Sequence, residues 1–249
     1  MEGVYGQEWS KLGMIVLSTA GCAATNLVTA GILSSCCSVS KGFALNAASR
    51  IVSTLHAVIV CLLAAFVVHS SAADDELDER KLWYGVLSLT ISFGYFVCDM
   101  VLMVFTGYEP LAPLMAHHVL SAGCMCWVAF DVPRAVWYAC LLQCSEATVP
   151  INNYIWLLEE RGRRCSREYC AARWLQLLVW LAVREALFVV FGWCVARHWA
   201  AMTISMKALG LCAGIPLALF NTGGLIAVIL EGFPWWHGQP PAERDAKHD

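Results

Sequence analysis

LWYGVLSLTISFGYFVCDMVLMVFT, residues 82–106, runs for 25 residues with Asp99 as its one charged side chain. As a helix this stretch reaches about 37 Å at roughly 1.5 Å per residue, enough to cross a hydrocarbon core of about 30 Å. It lacks the strict alternation of a barrel strand, and an open sheet would leave backbone groups unpaired in lipid. The stretch therefore predicts a transmembrane helix with a carboxyl group inside it.

Working outward, comparable apolar segments cover 12–37, 51–68, 111–130, 135–158, 174–196 and 202–230. The expected fold is all-α: a polytopic transmembrane bundle of about seven spans. It divides into an N-terminal span and loop (1–49), a six-helix membrane domain (50–230) and a polar tail (231–249) that includes Trp235 and Trp236 at the membrane interface. Glu2, Glu8 and Lys11 precede a first span too long for the apolar core of a signal peptide, so that span is expected to be retained. Hydrophobic residues make up 59% of the 249 and charged residues 14%, too apolar a mixture for one soluble core. Seven spans of about 20 residues leave only short loops. The functional residues must then lie within the bundle.

The net charge of −3 conceals an acidic run at 74–79 and five arginines, Arg161, Arg163, Arg164, Arg167 and Arg173. With seven spans, those five fall on one face with Lys41, Arg50, Arg244 and Lys247, against Lys11, Arg80, Lys81, Arg134 and Arg197 on the other. The positive-inside rule then places the arginine loop and C-terminus in the cytosol. The arginines have no aromatic interleaving, so nucleic acid is not an expected partner. Most of the 13 cysteines lie in apolar segments, where cysteine is a small hydrophobe. Cys124-x-Cys126 on a helix splays its thiols, and neither a metal site nor a cofactor is expected.

An ionisable group in hydrocarbon costs a few kcal/mol or more, so each one calls for a partner or a task. His56 lies in the second span, Asp99 in the third, His117 and His118 in the fourth, Gln143, Glu146 and Asn153 in the fifth, Arg184 and Glu185 in the sixth, and Asn221 in the seventh. Counting helical rise places His56, Asp99, His117 and Asn153 about 8–10 Å from the arginine-loop side, with Glu146, Arg184 and Asn221 nearer the midplane. Gln143, Glu146, Pro150 and Asn153 share one helix face, an expected cavity wall, and Pro150 has no N–H to give the Glu146 carbonyl. Arg184 and Glu185 are expected to join an ion-pair network with Asp99 or Glu146. Neighbouring residues on a helix point about 100° apart, so His117 and His118 cannot both face the bundle axis.

Four of these places resemble the TLC domain family: Arg50-Ile-Val-Ser-Thr-Leu-His56-Ala, Gly94-Tyr95-Phe-Val-Cys-Asp99, His117-His118, and Glu146-x-Thr148-x-Pro150-x-x-Asn153-x-x-Trp156. The resemblance covers about 50–230. It implies an endoplasmic-reticulum or related endomembrane protein engaged with lipid, and in the ceramide synthases of that family the His pair is catalytic. Those enzymes carry a His-Asp signature beyond the pair, whereas the only His-Asp here is His248-Asp249. The likeness is thus closer to the smaller TLC-domain proteins.

Two readings follow. In the first, the protein binds, senses or helps traffic lipid and supports lipid homeostasis, with His56, Tyr95, Asp99, His117, His118, Gln143, Glu146, Pro150, Asn153, Arg184 and Asn221 lining a polar cavity. In the second it is a His-dependent acyltransferase joining an acyl-CoA to a lipid amine or hydroxyl, with His117, His118 and Asp99 catalytic. A third use, docking a membrane-protein partner or a second copy through the arginine loop, competes with a plain topological role for those charges.

Overall fold

The computed structural model describes residues 2–37, 39–73, 77–106 and 111–232. The tail with Trp235, Trp236 and His248-Asp249, and Asp74 to Glu76 of the acidic run, lie outside them. Helices α1 (Glu2–Cys36), α2 (Lys41–His69), α3 (Glu79–Thr106) and α4 (Leu111–Asp131) come first. Three interrupted segments follow. Helices α5 (Val136–Gln143) and α6 (Val149–Glu160) are joined by a 3-10 turn at Cys144–Thr148. A π turn at Trp180–Glu185 joins α7 (Arg167–Val179) to α8 (Ala186–His198), and another at Gly210–Gly214 joins α9 (Ile204–Leu209) to α10 (Ile215–Gly232).

Polar side chains set the ends of these helices. Asp78 caps α3 by accepting from the Lys81 N–H at 2.9 Å, which holds its carboxyl below the usual carboxylate range. Ser40, Ser166 and Thr203 cap α2, α7 and α9 in the same way. Helix α6 stops at Gly162, whose φ of 64° suits glycine. There Gly162 N–H donates to Glu159 O and Arg163 N–H to Leu158 O, each at 2.9 Å, a Schellman closure that starts the arginine loop.

Six helical runs among the described residues are long and apolar enough to cross a membrane. One further candidate crossing, fifth in chain order, is the α5–α6 segment, which the 3-10 turn divides into pieces each too short to span alone. Together the pieces reach about 40 Å, sufficient for one crossing. The chain is therefore an integral, multi-pass helical bundle.

Segments α2, α3, α4, α9–α10, α7–α8 and α5–α6 close a ring, each packed against the next, and α1 lies outside against α2 and α3. The ring has two unlike halves. Away from the arginine loop, Ala64, Val67, Leu89, Val128, Val136, Cys140 and Leu141 form a continuous apolar core. The half nearer the loop holds most of the buried polar side chains, with Ser88, Thr90 and Gln143 reaching into the other.

Two constraints fix the ring. Gly94 lets α1 approach α3 closely: a Cβ there would stand 2.8 Å from the Thr19 backbone nitrogen and 2.5 Å from Ser18 Oγ, which itself donates to Ile91 O at 2.9 Å. Arg184, inside the first π turn, donates from Nε to Thr148 Oγ1 at 2.8 Å and from Nη1 to Asn221 Oδ1 at 2.6 Å. Its guanidinium also stands 4.6 Å over the Trp180 ring. One side chain thus joins the fifth, sixth and seventh crossings.

Gly94→Leu is expected to cost about 1–3 kcal/mol by overpacking against α1, read as a lower unfolding temperature in detergent. Gly123→Leu is its control, since a Cβ at Gly123 meets nothing within 4 Å, and should be near neutral. Arg184→Met leaves Thr148 and Asn221 without their donor and is expected to cost about 2–4 kcal/mol. Arg163→Met, which breaks only the half-exposed pair with Glu168, should cost under about 1 kcal/mol in the same assay.

Candidate functional site

Asp99 and His118 form the centre of the polar half. His118 Nδ1 lies 2.9 Å from the Leu114 carbonyl and Nε2 lies 3.0 Å from Asp99 Oδ2. A carbonyl only accepts, so the hydrogen-bond network assigns a proton to Nδ1. A second proton must then lie between Nε2 and Oδ2, because two bare acceptors 3.0 Å apart would repel. Whether that proton sits on nitrogen or oxygen, the pair is net neutral, which suits a site in hydrocarbon. Ser49 Oγ donates to the other carboxyl oxygen, Oδ1, at 3.2 Å.

His117 points elsewhere. Its ring stacks on Phe220 of α10 at 4.4 Å between centroids and meets Phe96 and His118 edge-on. Its Nδ1 is buried with no hydrogen-bond partner. The two histidines are therefore divided: His118 has both nitrogens occupied, and His117 has its Nδ1 unpaired.

Two ladders brace this centre. Gln143 donates to Ser92 Oγ and to Ser88 O (3.1 Å), and its Oε1 accepts from Ser88 Oγ at 2.8 Å. Ser92 in turn meets His56 Nε2 at 3.0 Å, and the His56 ring stacks on Tyr95 at 4.0 Å. On the other side, Asn153 Nδ2 lies within hydrogen-bond distance of Arg50 O, Ser53 Oγ and Thr54 Oγ1, while Asn153 Oδ1 accepts from Arg50 Nη1 at 3.2 Å. The Arg50 guanidinium also stands 5.4 Å over Trp156.

Glu146 is buried and its carboxylate makes no hydrogen bond among the described residues. Arg184, His118 and Asp99 influence it electrostatically from beyond contact distance. The expected ion pair of Arg184 with a carboxylate is replaced by Thr148 and Asn221, neutral acceptors that the bend of the fifth segment brings within reach. The acceptor expected to be freed by Pro150 is also taken. The 3-10 winding shifts the partner of Glu146 O from Pro150 to the Val149 N–H, one residue nearer.

A cleft of about 70 Å³ opens between α2, α3 and α4, with Asn46, Ser49, Arg50, Ser53, Tyr95 and Asp99 as its polar lining and Leu45, Leu102, Met103 and Leu114 as its apolar lining. Of the residues expected to line a cavity, Tyr95 and Asp99 do so. His118 stands behind Asp99, Asn153 positions Arg50 and Ser53, and His56, Gln143 and Pro150 belong to the supporting frame. His117, Glu146, Arg184 and Asn221 form a neighbouring group toward α10. A second cavity of about 60 Å³, almost wholly apolar, lies toward the end of the bundle away from the arginine loop, between Tyr138, Phe191, Met206 and Leu217. Among the described residues no three His, Cys, Asp or Glu side chains gather as a metal site.

Ser49, Ser53, Ser88 and Ser92 carry much of the frame, although sequence reasoning did not single them out as site residues. Their signal was spacing: Ser88, Ser92, Tyr95 and Asp99 recur at four, three and four residues, as do Asn46, Ser49, Ser53 and His56 at three, four and three.

The TLC domain profile matches residues 46–236, from within α2 through α10, and leaves α1 outside. No curated protein matches the chain, and no solved structure does. Residue match and fold agree: this multi-pass membrane protein belongs to the TLC domain family.

Proposed function

We propose that the protein is a lipid-binding protein of endomembranes such as the endoplasmic reticulum. It would hold the polar end of a membrane lipid in the cleft between α2, α3 and α4 and so sense or help distribute that lipid. The arginine loop and C-terminus would face the cytosol, in keeping with the positive-inside rule. The observation that carries this reading is the cleft itself, in which Ser49, Ser53 and Asp99 stand beside Leu102, Met103 and Leu114. Polar groups at membrane depth need partners, and a lipid carries a polar end and an apolar chain in the same arrangement.

A second reading, acyl transfer from a thioester, draws support from one feature, the unpartnered Nδ1 of His117. In that reaction His117 takes a proton from an attacking amine or hydroxyl and returns it to the departing thiolate, forming an amide or ester and a free thiol. His118, with both nitrogens engaged, serves as a positioning residue.

Native mass spectrometry of the purified chain is expected to show a co-purified lipid that Ser49→Leu, which fills the cleft, displaces. A wild type carrying no lipid, or a Ser49→Leu variant carrying as much, would sink the binding reading. Turnover of acyl-CoA with a sphingoid base or a lipid alcohol decides the second reading. It requires His117→Ala to lower the rate by roughly 10²–10⁴, and an inactive wild type across chain lengths rejects it.

A further inference from the structure

Resting on the lipid-binding reading, we propose that the cleft selects a lipid whose polar end is a small uncharged hydroxymethyl group, and discriminates against an amine. Three features on the cleft walls lead there. The first is size. The cleft of about 70 Å³ has room for a small polar group such as a hydroxymethyl.

The second is charge. Asp99 is the carboxyl that faces the cleft, and taken alone it would invite a cation. Its Oδ2 shares a proton with His118, whose Nδ1 is tied to Leu114 O, so the pair carries no net charge. Arg50, the cation in the lining, donates to Asn153 Oδ1 at 3.2 Å and stands over Trp156, and it repels a ligand ammonium, whose charge would go uncompensated in a low-dielectric site. A hydroxyl brings none.

The third is hydrogen-bond capacity. Asp99 Oδ1 accepts from Ser49 at 3.2 Å and, in either placement of the shared proton, can accept from a second donor. The Ser49 hydroxyl, its hydrogen given to Asp99, can still accept, and the Asn46 amide can give or take a bond, so an alcohol can both donate and accept here. Leu102, Met103 and Leu114 continue the wall for the attached chain. The hydroxymethyl group can come from a neutral lipid such as a diacylglycerol or from the terminal glycerol of phosphatidylglycerol.

Competition at pH 7 on the full-length chain in detergent, read by native mass spectrometry, tests this with hexadecanol against hexadecylamine. Hexadecanol should be retained at least about fivefold over the amine, a difference of about 1 kcal/mol. Equal retention, or preference for the amine, overturns the proposal while leaving lipid binding intact. If neither probe is retained and no native lipid co-purifies, the binding reading fails and the proposal with it. Dioleoylglycerol and phosphatidylglycerol, offered against phosphatidylcholine, separate the two lipid sources, and retention of phosphatidylcholine above both contradicts the proposal.

Discussion

Hydrocarbon supplies no hydrogen bonds, so the polar groups that the bundle carries into the membrane draw their partners from within the protein, and all but a few, such as His56 Nδ1 and His117 Nδ1, find one. The chain meets this constraint in three ways. Asp99 and His118 share a proton and cancel each other's charge. Gln143 and Asn153 spend their amides on serines, threonines and backbone carbonyls of α2 and α3. Arg184 is held by neutral acceptors and an aromatic face. Each device ties helices that are distant in sequence, so the requirement for polar satisfaction also sets the order of the ring.

The departures from regular winding follow from the same constraint. The 3-10 turn ends at Thr148 and the first π turn contains Arg184, and these two residues bond to each other. Tightening one helix and widening its neighbour brings Arg184 onto both Thr148 and Asn221 without breaking either span. Single π turns recur at functional sites in helical proteins because they re-aim a side chain at small backbone cost. Here the first carries Arg184 among the polar groups, while the second lies against the apolar cavity beside Phe191 and Leu209.

Much of this was legible in the sequence. Apolar lengths gave the spans, and helical rise brought Asp99 and the histidine pair to one depth, where the structure joins Asp99 to His118. What the sequence did not disclose follows from the same chemistry. Arg184 pointed to a carboxylate because charge suggests counter-charge, yet a threonine hydroxyl and an asparagine carbonyl satisfy a guanidinium equally well in geometry. Serines gave little signal singly, since they are tolerated throughout membrane helices, and only their three- and four-residue spacing marks the cleft. Pro150 pointed to a free carbonyl because the reading assumed an unbroken α-helix, and a change of winding removes that vacancy.

The division between the two histidines bears directly on function. Helical geometry sends neighbouring residues about 100° apart, so α4 presents His118 to α3 and His117 to α10. Lipid binding at the Asp99 cleft and acyl transfer at His117 therefore draw on different faces of one helix. The first face is assembled by α2 and α3 and steadied from outside by α1, whose close approach at Gly94 lies five residues from Asp99. The second is assembled by α10 and anchored through Asn221 and Arg184. A substitution that loosens α1 should thus disturb the cleft before it disturbs His117, while one that releases Arg184 should act in the opposite order.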